Sequence, residues 1–173
     1  MKISHLNLIF FFLTTSFCYA QQTPVFIGEA YENSEAESDF VQRWRFKNFT
    51  FVSSTPQIAR PYTTTGIFKR IKGKNKQIEK KQLFGSNCQK VLEMVNSKLK
   101  IEFNKQKKED PKCYKKFRSF GIDEMEITVD KKYMYFEITW DGSYLVDASS
   151  ECLYPSTSAK IKINEISEFM ASE

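Results

Sequence analysis

Five cations fall within eight residues, at Lys69, Arg70, Lys72, Lys74 and Lys76. The run Phe68, Lys69, Arg70, Ile71, Lys72, Gly73 orders its basic residues in a loose pattern seen in binders of sulfated polysaccharides. In an extended chain alternate residues share a face, so Arg70 and Lys72 would point the same way and track an anionic polymer. The competing account is a solvated, charged strand edge that blocks sheet-to-sheet aggregation.

Carboxylates are the second candidate chemistry. Asp123, Glu124, Glu126, Asp141, Asp147 and Glu151 gather in the last third of the chain. A glycosidase needs two carboxylates flanking one bond, and a calcium site needs several oxygen ligands on a constrained loop. Asp123, Glu124 and Glu126 do not have calcium-loop spacing, and spacing alone assigns no catalytic pair. No metal or cofactor site is expected, and no catalytic residue is assigned.

Histidine bounds the remaining chemistry. The only one is His5, inside a segment that reads as a secretory signal peptide over residues 1–20. Lys2 supplies the cationic start, Leu6 to Leu13 the apolar stretch, and Cys18, Tyr19, Ala20 the cleavage site. A retained anchor would need roughly 20 apolar residues, and the polar Thr14, Thr15 and Ser16 intervene. Phe17 before Cys18 fits a lipid-modification signal poorly. The mature chain then starts at Gln21, a single domain over residues 21–173, secreted or held in the periplasm or cell envelope. It contains no histidine, which excludes Ser-His-Asp and Cys-His nucleophiles, histidine zinc sites and histidine general bases. No later stretch is long and apolar enough to span a bilayer.

An exported chain meets an oxidising compartment. Of Cys88, Cys113 and Cys152, one pair at most can form within the chain. Cys88–Cys113 would pin the start of a helix to its return segment; Cys113–Cys152 is the alternative, and three unbridged thiols the third. The spacing matches neither a CxxC redox site nor a four-cysteine zinc site.

The elements that must position these groups follow from periodicity. Pro24 to Ala30 reads as a strand, and Phe40, Gln42, Trp44 and Phe46 share one face of the next, with Val41, Arg43, Arg45 and Lys47 on the other. A phase shift at Asn48 suggests a bulge or bend before Phe49, Phe51 and Val52. Thr63 to Ile71 reads as a strand, Gly73 to Asn75 as a turn, and Gln77 to Phe84 as the returning strand, with a first helical turn as the alternative. Cys88, Val91, Leu92, Val95, Leu99 and Phe103 form one stripe of a helix over residues 87–107, capped by Ser86 or Asn87 and ended before Pro111. Met125, Ile127 and Val129, then Met134, Phe136, Ile138 and Trp140, give a hairpin. Ile161 and Ile163 give a last strand, after which Asn164 would cap a short helix. The expected fold is α+β: a single antiparallel sheet with one long packed helix and a short C-terminal helix.

Charge is segregated along this chain. Residues 21–68 carry net −1, residues 69–118 net +12, and residues 119–173 net −7. The lysines of the helix are interleaved with Glu93, Glu102 and Glu109 as on an ordinary solvated face, so no nucleic-acid partner is expected. Tyr133, Tyr135 and Trp140 are candidates for an aromatic platform, but Trp140 falls on the opposite strand face. Asn48, Phe49 and Thr50 form a glycosylation sequon.

From Ile127 to Ile138 and from Ala159 to Met170, the chain resembles a domain of unknown function from bacterial cell-envelope proteins. That family includes the outer part of lysozyme-sensing anti-sigma factors and a domain beside peptidoglycan deacetylases. The resemblance covers roughly 80 residues and implies an envelope setting. A longer insert between Trp140 and Ser158 departs from the pattern, and no functional residue is carried over.

The expected function is non-catalytic binding through Lys69, Arg70, Lys72, Lys74 and Lys76, of a protein or an anionic polysaccharide. The alternatives are a histidine-free carboxylate enzyme acting on envelope polysaccharide and a protein-binding inhibitor or immunity-type module.

Overall fold

The computed structural model describes residues 23–33, 38–56, 63–114, 116–138 and 157–171. The expected signal peptide, Trp140, Asp141, Asp147, Glu151 and Cys152 lie outside these described residues.

The first half forms a five-stranded antiparallel meander in chain order: β1 (Val25–Asn33), β2 (Ser38–Phe46), β3 (Phe49–Pro56), β4 (Thr64–Ile71) and β5 (Lys74–Ile78). Of the two readings of the phase shift at Asn48, bulge or bend, the structure has the bend, as a tight hairpin turn: Phe46 pairs with Phe49, and Lys47 adopts φ 54°. A two-residue connection resets strand parity as a bulge would, so alternation alone does not separate the two. The bulge lies in β1, where the register slips between Phe26 and Gly28. At the other hairpin the turn falls on Lys72 and Gly73, with φ 49° and 79°, one residue earlier than expected. Two consecutive positive φ angles match the twist of the flanking strands. The strand expected over residues 77–84 ends at Ile78, and a 3₁₀ turn over Lys80–Leu83 follows, opened by a Glu79–Gln82 capping box.

Helix α1 spans Cys88–Glu109 and buries Val91, Val95, Leu99 and Phe103, the stripe its spacing predicts. Asn87 occupies the cap position without capping; its amide donates to the carbonyl of Phe169, 82 residues away. Beyond α1 the chain doubles back, and Phe103 packs edge-on against Tyr114 with ring centroids 5.4 Å apart.

Strands β6 (Glu126–Val129), β7 (Tyr133–Ile138) and β8 (Thr157–Lys162) form a second, three-stranded sheet. The single sheet expected from the sequence is thus two. Each has one apolar face, and both bury it in one core: Phe46, Phe49, Phe51 and Ile67 from the first, Ile127, Met134, Phe136 and Ile161 from the second, with α1 contributing its stripe. Full burial of such a side chain contributes roughly 1.5–3 kcal/mol, so a shared core rewards two packed sheets over one extended sheet with a solvated apolar face. Among the described strands, β6 pairs with β7 and with no strand of the meander.

The short helix α2 covers Ile163–Ile166, followed by a 3₁₀ turn over Ser167–Phe169. Lys162, not Asn164, is its cap residue, and no side chain caps it. Tertiary bonds hold it instead: Ile163 N donates to Lys132 O, and Ala171 N to Leu83 O.

Candidate functional site

The strand register distributes the five predicted cations over different surfaces. Lys69 and Lys76 face each other across β4 and β5, on the side of the sheet that carries Ile67. The Lys69 ammonium lies 5.7 Å from the centre of the Phe49 ring. Lys74 stands opposite Ile71 near the same hairpin end, and Lys72 sits in the turn itself. Arg70 alone of the five projects to the outer face, across from Asn75. Arg70 and Lys72 therefore do not share a strand face, because Lys72 has already left the strand.

The partner that Arg70 does find is Arg45. The two hairpin turns lie side by side, joined by a 2.9 Å bond from Arg70 N to Asn48 O. Between them is a recess of about 260 Å³ lined by Arg45, Lys47, Asn48, Thr50, Arg70, Gly73 and Asn75. Among the described residues no acidic residue lines it. Lys47 is committed elsewhere: its ammonium donates to Ser167 O at 2.5 Å, and burial lowers its pKa. Arg45 was legible in the polar alternation of β2, but its neighbourhood to Arg70 depends on β3 lying between them.

A second concave site lies between the two sheets. It has a volume of about 240 Å³, with Phe40, Gln42, Ser53 and Thr55 on one side and Thr128, Asp130, Tyr135 and Glu137 on the other. Asp130 ends the β6–β7 hairpin. Its Oδ1 accepts the backbone N–H groups of Lys132 and Tyr133 at 2.6 and 2.7 Å, and its Oδ2 accepts the Tyr135 hydroxyl at 2.6 Å. Burial works against its charge, but these three bonds and the attraction of Lys160 outweigh burial and hold its pKa below the usual value. The same burial and the bond to Asp130 push the Tyr135 hydroxyl up to about 12.

Glu137 is the contrasting carboxylate. It is half-buried, and burial followed by the neighbouring Glu126 charge raises its pKa. The two glutamates face each other directly across β6 and β7. Glu126 is fully engaged, its Oε1 with Lys80 at 2.9 Å and its Oε2 with the backbone N–H of Thr65 at 2.9 Å. Glu137 has no hydrogen bond or ion pair among the described residues.

The acidic residues singled out from the sequence play other parts. Glu124 is paired with Arg118 at 2.7 and 3.1 Å and accepts the Gly121 N–H; the Arg118 bond first, then Gly121, keep its pKa low. Tyr133 and Tyr135 do come together, with ring centroids 6.2 Å apart, and the Lys160 ammonium sits 3.9 Å from the Tyr133 ring. That cation occupies the surface a sugar would stack upon.

Cys88 is a free thiol, so the Cys88–Cys113 bridge is not formed. Burial, then the Asp123 charge, raises its pKa. Cys113 is disulfide-bonded, and its partner lies outside the described residues. The helical stripe that includes Cys88 turns its sulfur toward the core, where it packs against buried apolar side chains.

Among the described residues no group of three or more His, Cys, Asp or Glu converges as a ligand set, and no helix is long and apolar enough to cross a membrane. No protein-family model matches the chain, and no curated protein or solved structure is detectably similar to it.

Proposed function

We propose that this chain is a non-catalytic binding protein of the cell envelope or extracellular space that holds an anionic partner at the paired hairpin turns of the meander. The observation that carries this reading is the recess between those turns, which presents Arg45 and Arg70 beside Lys47, Asn48, Thr50 and Asn75, with no acid among its described lining residues. Both arginines are exposed, so their attraction is screened by salt and acts over a short range. The lysines at positions 69, 72, 74 and 76 surround the same end of the sheet and raise the local anion concentration. An anionic envelope polysaccharide suits an exposed, one-sign surface better than a small anion, because repeated charges engage several cations at once. The export signal and the resemblance to cell-envelope domains support the location.

The carboxylate-enzyme reading draws on Asp130 and Glu137. It is the weaker one, because Asp130 already accepts three hydrogen bonds and only Glu137 is unengaged in the cleft.

The test is retention on an immobilised sulfated polysaccharide under a salt gradient. Arg45→Glu/Arg70→Glu should elute at clearly lower salt than the parent protein, and Lys69→Glu/Lys76→Glu should shift less. Retention that is independent of salt, or that is unchanged in the arginine variant, overturns the proposal.

A further inference from the structure

The cleft between the sheets is not part of the cationic recess. It lies on the inner side of the meander, at the end away from the Lys47–Asn48 and Lys72–Gly73 turns. Its chemistry is also different, being rich in hydroxyls and net acidic.

Glu137 carries the inference. Holding a carboxylate half out of water without a partner costs free energy, and here the cost is increased by Glu126 directly opposite. Glu126 has what a buried carboxylate needs, a cation and a backbone N–H; Glu137 has neither among the described residues. Its two oxygens are thus open acceptors in a concave space. Around them stand the Thr128 and Ser53 hydroxyls and the Gln42 amide, which both donate and accept. Among the described residues no lysine or arginine lines the space.

We infer that this cleft binds one uncharged sugar ring, with the Glu137 carboxylate accepting hydrogen bonds from adjacent ring hydroxyls and the polar side chains of the lining bonding the remaining ones. Size supports a single ring: about 240 Å³ falls below the roughly 300–1,000 Å³ of sites for drug-sized ligands. Charge decides among sugars. Glu137 and Asp130 would both repel a uronate or sulfated ring, and no cation among the described lining residues would neutralise it. A hydroxyl-bearing ring supplies the donors that Glu137 lacks, and the mixed hydroxyl and amide lining satisfies those ring oxygens that need a donor. The site neither requires nor disturbs the arginine pair of the proposed anion surface.

The experiment is a ¹H–¹⁵N NMR titration of the signal-free protein with methyl glucoside, methyl galactoside and methyl mannoside, and separately with glucuronate. At least one neutral glycoside should produce saturable shifts at Gln42, Thr128 and Glu137 in the millimolar range, with glucuronate weaker. Glu137→Gln should weaken binding about tenfold, as expected for loss of one charge-assisted hydrogen bond, while raising the thermal midpoint because an unpaired charge is removed. A merely structural Glu137 would not move stability and affinity in opposite directions. Thr128→Val, a milder change on the same wall, should also weaken binding and serves if the glutamine variant fails to fold. Arg45→Glu/Arg70→Glu should bind the glycoside normally, which separates this site from the anion surface. The inference is overturned if no neutral glycoside gives saturable shifts in the cleft, if glucuronate binds as well as the neutral sugars, or if Glu137→Gln keeps full affinity.

Discussion

Asn96 on α1 holds the backbone of Phe120 by a matched pair of hydrogen bonds: its Oδ1 accepts the Phe120 N–H at 2.8 Å, and its Nδ2 donates to the Phe120 carbonyl at 2.9 Å. The same Nδ2 also reaches Leu92 O one turn back, so the amide is fixed on the helix before it clamps the return segment. Phe120 itself is buried, and its peptide groups therefore lose a partner that water replaces poorly. Asn96→Ala should cost about 2–4 kcal/mol, from two lost bonds and the stranded Phe120 N–H. Asn96→Asp keeps the acceptor but sets a carboxylate oxygen against the Leu92 and Phe120 carbonyls, so it should be no more stable than the alanine variant at neutral pH. Urea unfolding of the three proteins measures the order, and an alanine variant as stable as the parent would remove Asn96 from the clamp.

Glu137 should give the molecule an alkaline liability. Its folded pKa lies above the unfolded value, so between the two the native state holds more protons and stability falls as pH rises. Below the unfolded value, about 4.3, the effect vanishes. The groups that face it are Glu126, with Lys80 bonded behind it, and Asp130 and Tyr135 on its own sheet. Asp130 and Glu124 act with the opposite sign: their pKa values are lowered, so their contribution is present above the unfolded value and is lost as pH falls through the folded one. Glu137→Gln should thus be more stable than the parent near neutrality, with the gap closing as pH falls toward 4. A pH series of thermal midpoints that shows parallel curves would exclude this assignment.

How much of this was legible from the sequence depends on the range of the interaction. The α1 stripe and the β6–β7 hairpin rest on local periodicity, and both form over nearly the expected residues. The phase shift at Asn48 reads equally as a bulge or a bend, because the two have the same effect on alternation; the structure has a turn at Lys47 and Asn48. Asn87 and Asn164 were assigned as caps by residue type, yet Asn87 bonds to Phe169 and Asn164 lies inside α2. Local propensity yields there to tertiary bonds. The division into two sheets and the cleft between them depend on pairings far apart in sequence. Gln42, Ser53, Thr128 and Glu137 come from four strands of two sheets, and only the polar alternation of β7, which puts Tyr135 and Glu137 on one face, hinted at it.

Cysteine connectivity offers a third test. Cys88 is free and Cys113 is bonded, which leaves Cys18 and Cys152 as the sequence's other cysteines. Removal of the signal peptide would take Cys18 away. Peptide mapping without reduction of the protein produced from Gln21 onward should therefore find Cys113 joined to Cys152 and Cys88 alkylated only slowly, as its half-buried, raised-pKa thiol dictates. On the chain-entropy estimate, closing that 40-residue loop contributes about 4 kcal/mol, so reduction should lower the unfolding midpoint markedly. Recovery of Cys88 in any disulfide contradicts the assignment.

Glu126 joins three elements: the 3₁₀ turn through Lys80, β4 through the Thr65 N–H, and its own strand β6. Its side chain is 20% exposed and that of Lys80 is 19% exposed, so the pair is largely withdrawn from water. Glu126→Gln weakens both bonds, leaves the Lys80 charge uncompensated and should cost about 2–3 kcal/mol. The same change also relieves Glu137, which offsets part of the loss. In a Glu137→Gln background there is no such relief, so Glu126→Gln should cost more there than in the parent. A double-mutant cycle by urea unfolding at neutral pH reads this as a coupling between the two sites. Additivity within about 0.3–0.5 kcal/mol would show that the two carboxylates do not sense each other and that burial alone sets the properties of Glu137.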